Sequence, residues 1–280
     1  LSQKRFFANP MHGEDTTIWP IPLMRSKDDN AVLETASEEL PGLSKINSGQ
    51  SGFYRTIYSG PIKQQFETAM DNQLLEPVDA LGLINDAAEA AKAGYHSITE
   101  ALDLVVRSRN YTNEALISTA LGEFADCRNI LSDTFDAQKA AVLDFIQPNL
   151  ERLGIEKTKG ESIDDELLRP ALLSAASYAG DKKVISWALE QFGTATTPED
   201  IRPDLRSIVY HTAVREIGDE ATYEKLLSWY KKNTIPGERT ALAVSLVSFK
   251  DVGLFNRSLQ KITSSEVKLQ DSLYWVAYAL

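Results

Sequence analysis

The sequence predicts a mainly α-helical protein with a short β-rich region at its N-terminus. From residue 62 onward apolar side chains recur at helical spacing, whereas prolines and glycines interrupt the first 60 residues repeatedly. The 43% hydrophobic and 25% charged residues of the 280-residue chain are those of an ordinary globular protein. We therefore expect two domains, one over residues 1–60 and one over residues 61–280.

The N-terminal region favours short strands. The segment from Ile18 to Met24 contains two prolines, which suit an edge strand. The segment from Phe53 to Tyr58 is aromatic and β-branched, and the turn-forming run from Asn47 to Gly52 precedes it. We expect roughly four or five short strands that form a small, incomplete β-sandwich.

The helical region divides at recurring glycines. Gly94, Gly180 and Gly218 each follow one apolar helical stripe and precede the next. The last two are 218 − 180 = 38 residues apart, close to the ~40-residue helix-pair period of HEAT-like arrays. We predict a HEAT-like or armadillo-like α-superhelix. An irregular helical bundle would produce a similar pattern.

Charge and cysteine content limit the classes of partner. The chain has 29 basic and 40 acidic residues, a net charge of −11. Proteins that bind nucleic acid or anionic lipid need clustered cations, so we expect neither nucleic acid nor a membrane as a partner. Cys127 is the single cysteine, which excludes an intramolecular disulfide and favours a reducing, cytoplasmic location.

Catalytic motifs are missing from the sequence. His12, His96 and His211 are far apart, and none belongs to an HExxH zinc motif. The chain also lacks a GxSxG elbow, a P-loop and a GxGxxG motif. Cys127 lies in an apolar helical stripe, where a buried, inert thiol is expected. We predict that this chain alone is catalytically inactive and holds no cofactor.

Several motifs nevertheless resemble one enzyme family. The run from Gly52 to Tyr58 resembles the GxYRVxY strand of zinc aminopeptidases of the aminopeptidase N and puromycin-sensitive type. The run from Asp79 to Ala87 resembles the DRLGLLNDA segment that opens their helical domain, although Ala80 replaces the usual arginine. Further matches follow the family order, at Gln3–Phe6, Trp19–Leu23, Ala101–Leu104, Pro203–Arg206 and Gln270–Asp271.

The resemblance implies that the chain is the end of the β-sandwich followed by a helical C-terminal domain that is truncated at its end. In such enzymes zinc and the HExxH motif belong to an upstream catalytic domain, which would be the partner of this region. The helical domain would cap the active-site cavity and hold the body and C-terminus of a peptide substrate. The alternative is an acidic helical-repeat scaffold for protein interaction, without enzymatic activity.

The same resemblance places the stretch after Ala101–Leu104 on the inner wall of the cavity. Arg107 and Arg109 lie in this stretch, and a guanidinium binds a carboxylate in a bidentate manner. We therefore consider both arginines candidates for binding a peptide C-terminus. Alternatively, they stabilise the negative end of the helix that closes near Asn110. Aromatic residues are also candidate channel residues, but their spacing favours core packing: Tyr54, Tyr58, Trp187, Tyr210, Trp229 and Tyr230.

Overall fold

The computed structural model describes residues 1–9, 15–39, 44–130 and 135–279, so His12 lies outside the described residues. These ranges contain twelve α-helices and two short strands, which confirms the mainly α class. The chain packs as two compact units, unit 1 (Leu1–Leu168) and unit 2 (Arg169–Leu280). No described helix combines the length and the apolar character that crossing a bilayer requires.

The N-terminal part of unit 1 contains a minimal antiparallel sheet. Strand β1 (Ile21–Pro22) pairs with β2 (Val32–Leu33). The side chain of Gln3 joins neighbouring extended segments, because its amide donates to the Trp19 carbonyl at 2.9 Å and to the Thr35 carbonyl at 3.0 Å. A small core of Leu23, Leu33 and Ile46 lies beneath these segments.

The predicted strand over Phe53–Tyr58 is wrong, and the described residues contain fewer strands than expected. The Thr56 amide donates to Asp86 Oδ2 at 2.8 Å instead of to a neighbouring strand. The Tyr54 hydroxyl donates to the Leu23 carbonyl at 2.9 Å. Side chains therefore provide the hydrogen bonds that a sheet would have provided, so the segment stays extended without strand pairing.

Unit 1 continues with helices that pack around α2. The helices are α1 (Gly60–Asp71), α2 (Pro77–Lys92), α3 (Ile98–Arg107), α4 (Glu114–Ile130) and α5 (Phe135–Leu153). Helix α2 starts with Pro77, whose fixed φ and missing amide proton suit the first helical position. It packs against both α3 and α4. Helix α6 (Ile163–Ala179) then runs across the boundary between the two units.

Buried contacts attach the N-terminal part to α2. Lys45 Nζ lies 2.9 Å from Asp79 Oδ1, with side chains 10% and 11% exposed, and the Gly49 amide donates to the same oxygen at 2.8 Å. Gly82 permits a close approach nearby, since an added Cβ would lie 2.0 Å from Gln50 Nε2. The motif from Asp79 to Ala87 thus carries residues that fix the N-terminal part onto the helices.

Unit 2 is built from helices that pack in successive pairs. Helix α7 packs on α8, α9 on α10, and α11 on α12, while α8, α10 and α12 form a row of neighbours. This arrangement agrees with a helix-pair repeat, and the superhelix itself stays a prediction. The helices are α7 (Lys182–Thr194), α8 (Arg206–Glu216), α9 (Glu220–Lys232), α10 (Pro236–Leu246), α11 (Val252–Ile262) and α12 (Leu269–Ala279).

The helix boundaries predicted from glycines are confirmed. Gly180 and Gly218 have φ of +96° and +56°, the left-handed region that glycine enters at little cost. Each is followed by an aspartate that caps the next helix: Asp181 accepts from the Val184 amide at 2.9 Å, and Asp219 accepts from the Thr222 amide at 2.8 Å.

Candidate functional site

The two candidate arginines lie together at the C-terminal end of α3. The helix ends at Arg107, and a single 3-10 turn over Ser108–Asn110 follows. The fully buried Ser108 hydroxyl donates to the Val105 carbonyl at 2.7 Å, which closes the last helical turn. We call residues 107–111 the arginine turn.

Buried partners fix the backbone of the arginine turn. Asn149, on α5 and 2% exposed, donates its side-chain amide to the Arg109 carbonyl at 3.2 Å and to the Tyr111 carbonyl at 2.8 Å. The Tyr111 hydroxyl donates to the Leu75 carbonyl at 3.2 Å. These bonds satisfy carbonyls that lie outside the helices, at the turn and before α2, and they hold the turn between α3 and α5.

The guanidinium groups of the arginine turn point to acidic neighbours at the surface. Arg107 pairs with Asp71 and, at 2.8 Å, with Asp103, and its side chain is 27% exposed. Arg109 is 42% exposed and pairs with Asp144 at 3.0 Å. The hydrogen bond to Asp103 contributes most to raising the pKa of Arg107. The turn therefore carries two permanent positive charges among three carboxylates.

Arg109 keeps unused donors. A guanidinium has five N–H donors in a planar fork, and in the described part of the chain Asp144 is the carboxylate within ion-pair distance of Arg109. Asp144 itself is 65% exposed, so water competes for its oxygens. Chemically, the turn offers a rigid backbone with one guanidinium that can receive a second carboxylate.

The other aromatic candidates separate according to burial. Tyr210, Trp229 and Tyr230 are 0%, 4% and 1% exposed, so they belong to the core of unit 2, as their spacing indicates. Burial is the first cause that raises the pKa of Tyr54 to about 12, and its hydroxyl is bonded to a backbone carbonyl. Trp187 packs against the same core as a partly buried residue.

Two arginines of the family-like motifs hold elements together. Arg55 lies 3.4 Å from both Asp86 and Glu89 of α2. Arg206 pairs with Glu238 at 2.7 Å, with side chains 10% and 8% exposed.

Neither the single cysteine nor His96 and His211 have a catalytic setting among the described residues. Cys127 is 4% exposed, and burial raises the pKa of its thiol, which favours the unreactive protonated form. Among the described residues, no group of three or more His, Cys, Asp or Glu side chains is arranged to hold a metal ion. His96 lies 3.4 Å from Glu100 in unit 1, whereas His211 is in helix α8 of unit 2.

Two polar groupings escaped prediction from the sequence. One is the set of bonds from Asn149 to the arginine turn, because nothing in the sequence around Pro148 and Asn149 indicates a partner about 40 residues away. The other is the pair of Arg239 with Asp271, at 2.8 Å, whose residues are 32 apart in sequence, as are Arg206 and Glu238. The repeated spacing of 32 residues between an arginine and an acidic residue is the sequence pattern that could have predicted both ion pairs.

Comparison with known proteins identifies relatives over nearly the whole chain. The family model described as "ERAP1-like C-terminal domain" matches residues 43–280. Aminopeptidase 2 of Candida albicans is 27% identical over 98% of this chain and 31% of its own length. The alanine/arginine aminopeptidase of Saccharomyces cerevisiae is 29% identical over 97% of this chain and 33% of its own length. Aminopeptidase M1 of Arabidopsis thaliana is 26% identical over 98% of this chain and 35% of its own length. The chain thus spans about a third of the length of these relatives.

Proposed function

Because this chain belongs to the family of ERAP1-like C-terminal domains, we propose that it is the C-terminal region of a longer aminopeptidase that removes N-terminal residues from peptides. The family match supports this proposal, as do relatives that are named as aminopeptidases and match nearly the entire chain. The ordered motifs at Gly52–Tyr58, Asp79–Ala87 and Pro203–Arg206 agree with it.

In this proposal the chemistry belongs to an upstream catalytic domain of the same polypeptide. A zinc ion there would activate the water that hydrolyses the peptide bond. The present region caps the active-site cavity and accommodates the body and C-terminus of the peptide. A cytoplasmic location remains part of the proposal, because it agrees with a single, buried cysteine.

The observation that carries the peptide-binding role is the contrast within the arginine turn. Its backbone is held by the buried side chains of Asn149 and Tyr111, while the guanidinium of Arg109 is exposed. Binding groups work best when their supporting shell is rigid and their reactive end is free. Asp144 orients the guanidinium of Arg109. An incoming peptide carboxylate would bind the guanidinium beside Asp144 or replace Asp144 as its partner.

The interaction scaffold, which the sequence left open, has less support. Its acidic charge and helix pairs describe this chain equally well, but the family match adds weight only to the aminopeptidase. We therefore propose the aminopeptidase region as the function.

The test uses the full-length parent enzyme with Arg107→Ala and Arg109→Ala combined. We expect kcat/KM for a peptide with a free C-terminal carboxylate to fall about twofold to fivefold, as expected for a partly exposed charge pair. The same peptide with an amidated C-terminus, and an aminoacyl-anilide, should be cleaved at the parental rate because neither presents the carboxylate.

Arg202→Ala is the matched control. Arg202 is 37% exposed and pairs with Asp204 at 2.6 Å in unit 2, so the substitution removes a comparable surface pair. It should leave the ratio between free and amidated peptides unchanged. Equal losses on free and amidated peptides in the double variant would contradict the carboxylate role.

A further inference from the structure

Unit 1 contains a small cavity where the extended segment 56–58 passes the starts of α1 and α3. Its volume is about 40 Å³. Its wall divides into an apolar floor and a polar rim. The floor consists of Ile57, Tyr58, Phe66, Leu83, Ala87 and Leu104, and the rim consists of Thr56, Lys63, His96 and Glu100.

Packed rings form part of the cavity floor, and the hydroxyl of its tyrosine is already hydrogen-bonded. The rings of Tyr58 and Phe66 meet edge to face, with centroids 4.7 Å apart. The Tyr58 hydroxyl accepts from the Ile46 amide at 2.9 Å and donates to the Ile46 carbonyl at 3.1 Å. A cavity needs ~10–15 Å³ for each water-sized group, so this one has room for about three, the size of a branched three-carbon side chain.

The rim presents both signs of charge. Glu100 lies between Lys63, which pairs with its Oε2, and His96, whose Nδ1 is 3.4 Å from its Oε1. The hydrogen bond between Lys63 and Glu100 raises the pKa of the lysine and lowers that of the glutamate, so both are ionised at neutral pH. Lys63 also lies 3.8 Å from Glu67 Oε1, so two carboxylates share its three N–H donors and one donor remains for a further acceptor.

Thr56, the remaining rim residue, is already engaged. Its hydroxyl donates to Asp86 Oδ2 at 2.9 Å. The groups left to recognise a ligand are therefore one carboxylate, one ammonium and one imidazole above an apolar floor. A ligand that complements them carries an ammonium, a carboxylate and a small apolar branch on neighbouring atoms.

We propose that this cavity binds a free L-α-amino acid with a small branched side chain, such as valine. The side chain enters the apolar floor, the α-ammonium pairs with Glu100, and the α-carboxylate pairs with Lys63 and His96. The binding rests on the cavity alone. Free amino acids are also products of the proposed aminopeptidase, so a product-responsive role follows only if that proposed function is correct.

Titration of the isotope-labelled 280-residue chain with L-valine, followed by amide NMR, tests the proposal. A ligand this small should bind with Kd on the order of 1 mM, with shifts centred on the cavity residues. Glycine lacks the branch, isobutylamine lacks the carboxylate and isovalerate lacks the ammonium, so each should bind at least about tenfold more weakly. Absence of valine binding, or equal binding of any of these three, overturns the proposal whether or not the parent is an aminopeptidase.

Two variants locate the binding. Ala87→Leu fills the cavity and should abolish valine binding, whereas Ala91→Leu, one turn later on α2 and outside the cavity wall, should not. Lys63→Gln should weaken binding about tenfold, whereas Lys157→Gln, at an exposed pair elsewhere in unit 1, should not. Unchanged binding by folded Ala87→Leu overturns the proposal. If that variant does not fold, unchanged binding by Lys63→Gln does so.

Discussion

The arginine turn of unit 1 and the links between helix pairs of unit 2 use arginine in opposite ways. In unit 1, Arg109 and Asp144 are 42% and 65% exposed, so their pair sits in water. In unit 2, Arg239 and Asp271 are 9% and 14% exposed, and Arg206 and Glu238 are buried to a similar degree. All three are pairs of arginine with a carboxylate, and burial decides how much of each guanidinium is withdrawn from water.

The buried arginine of unit 2 is nearly saturated with acceptors. Arg239 donates to Asp271 Oδ2 at 2.8 Å, to the Tyr230 hydroxyl at 2.7 Å, and to the Tyr230 and Asn233 carbonyls at 3.3 Å. The indole of Trp275, 0% exposed, donates to the same hydroxyl at 3.3 Å. This network ties α12 to α9 and α10.

The repetition of this arrangement distinguishes unit 2 further. Arg206 at the start of α8 reaches Glu238 at the start of α10, and Arg239 on α10 reaches Asp271 at the start of α12. Each pair spans 32 residues. A repeat whose units stack on their neighbours would produce such equivalent links, and the proposed superhelix gains support from them.

The largest expected effect is on the buried pair. Asp271→Ala removes the carboxylate and leaves the Arg239 charge buried, so we expect the free energy of unfolding to fall by about 3–5 kcal/mol. Urea denaturation followed by circular dichroism measures this change.

The double variant Arg239→Met with Asp271→Leu is the control for that measurement. It removes both charges and keeps apolar volume, so it should cost much less than Asp271→Ala. An Asp271→Ala loss below about 1 kcal/mol, the range of exposed pairs, would remove the distinction between the two regions.

A pH-dependent effect is expected from another buried group of unit 2. His211 on α8 has no hydrogen-bond partner for Nε2 among the described residues. Burial, followed by the charge of Arg215, lowers its pKa below the ordinary 6.5. The folded state therefore holds the neutral imidazole, and the unfolded state takes up a proton first. Its contribution to stability is complete above pH 6.5 and is lost as the pH falls through the folded pKa.

His211→Gln isolates this effect, because glutamine stays polar without titrating. Lowering the pH from about 7.5 to about 5.5 should reduce the unfolding free energy of the unsubstituted chain more than that of the variant. The difference between the two chains should grow by at most about 1.4 kcal/mol for each pH unit below the pKa of histidine in the unfolded state. Urea midpoints at the two pH values provide the comparison. Parallel pH dependence in both chains would show that His211 is not held neutral by the fold.

The sequence predicted the helix boundaries well because the residues that end one helix and begin the next act on their immediate neighbours. Gly180 with Asp181, and Gly218 with Asp219, mark helix boundaries through positive φ and side-chain capping, which depend on neighbouring residues alone. The segment around Thr56 was predicted wrongly because its β-forming composition could not reveal Asp86, 30 residues away, as the acceptor of its amide proton.

The same distinction applies to the candidate site. A resemblance pointed to Arg107 and Arg109 as residues, but Asp71, Asp144 and Asn149 reach the turn from other helices. Tertiary packing brings these three residues to the turn. The sequence alone could indicate such a contact only where the same spacing between two residue types occurs more than once. The pairs of Arg206 and Arg239 meet that condition, whereas the arginine turn does not.

The smallest expected effect is at the arginine turn. Arg109→Ala should change the unfolding free energy by less than about 1 kcal/mol, because water already screens its pair with Asp144. The buried bonds from Asn149 to the turn do not involve the Arg109 side chain and should persist. Urea denaturation of this variant beside Asp271→Ala places both regions on one scale. A loss above about 2 kcal/mol would mean that Arg109 is structural, and its assignment as a peptide-binding residue would then lose its basis.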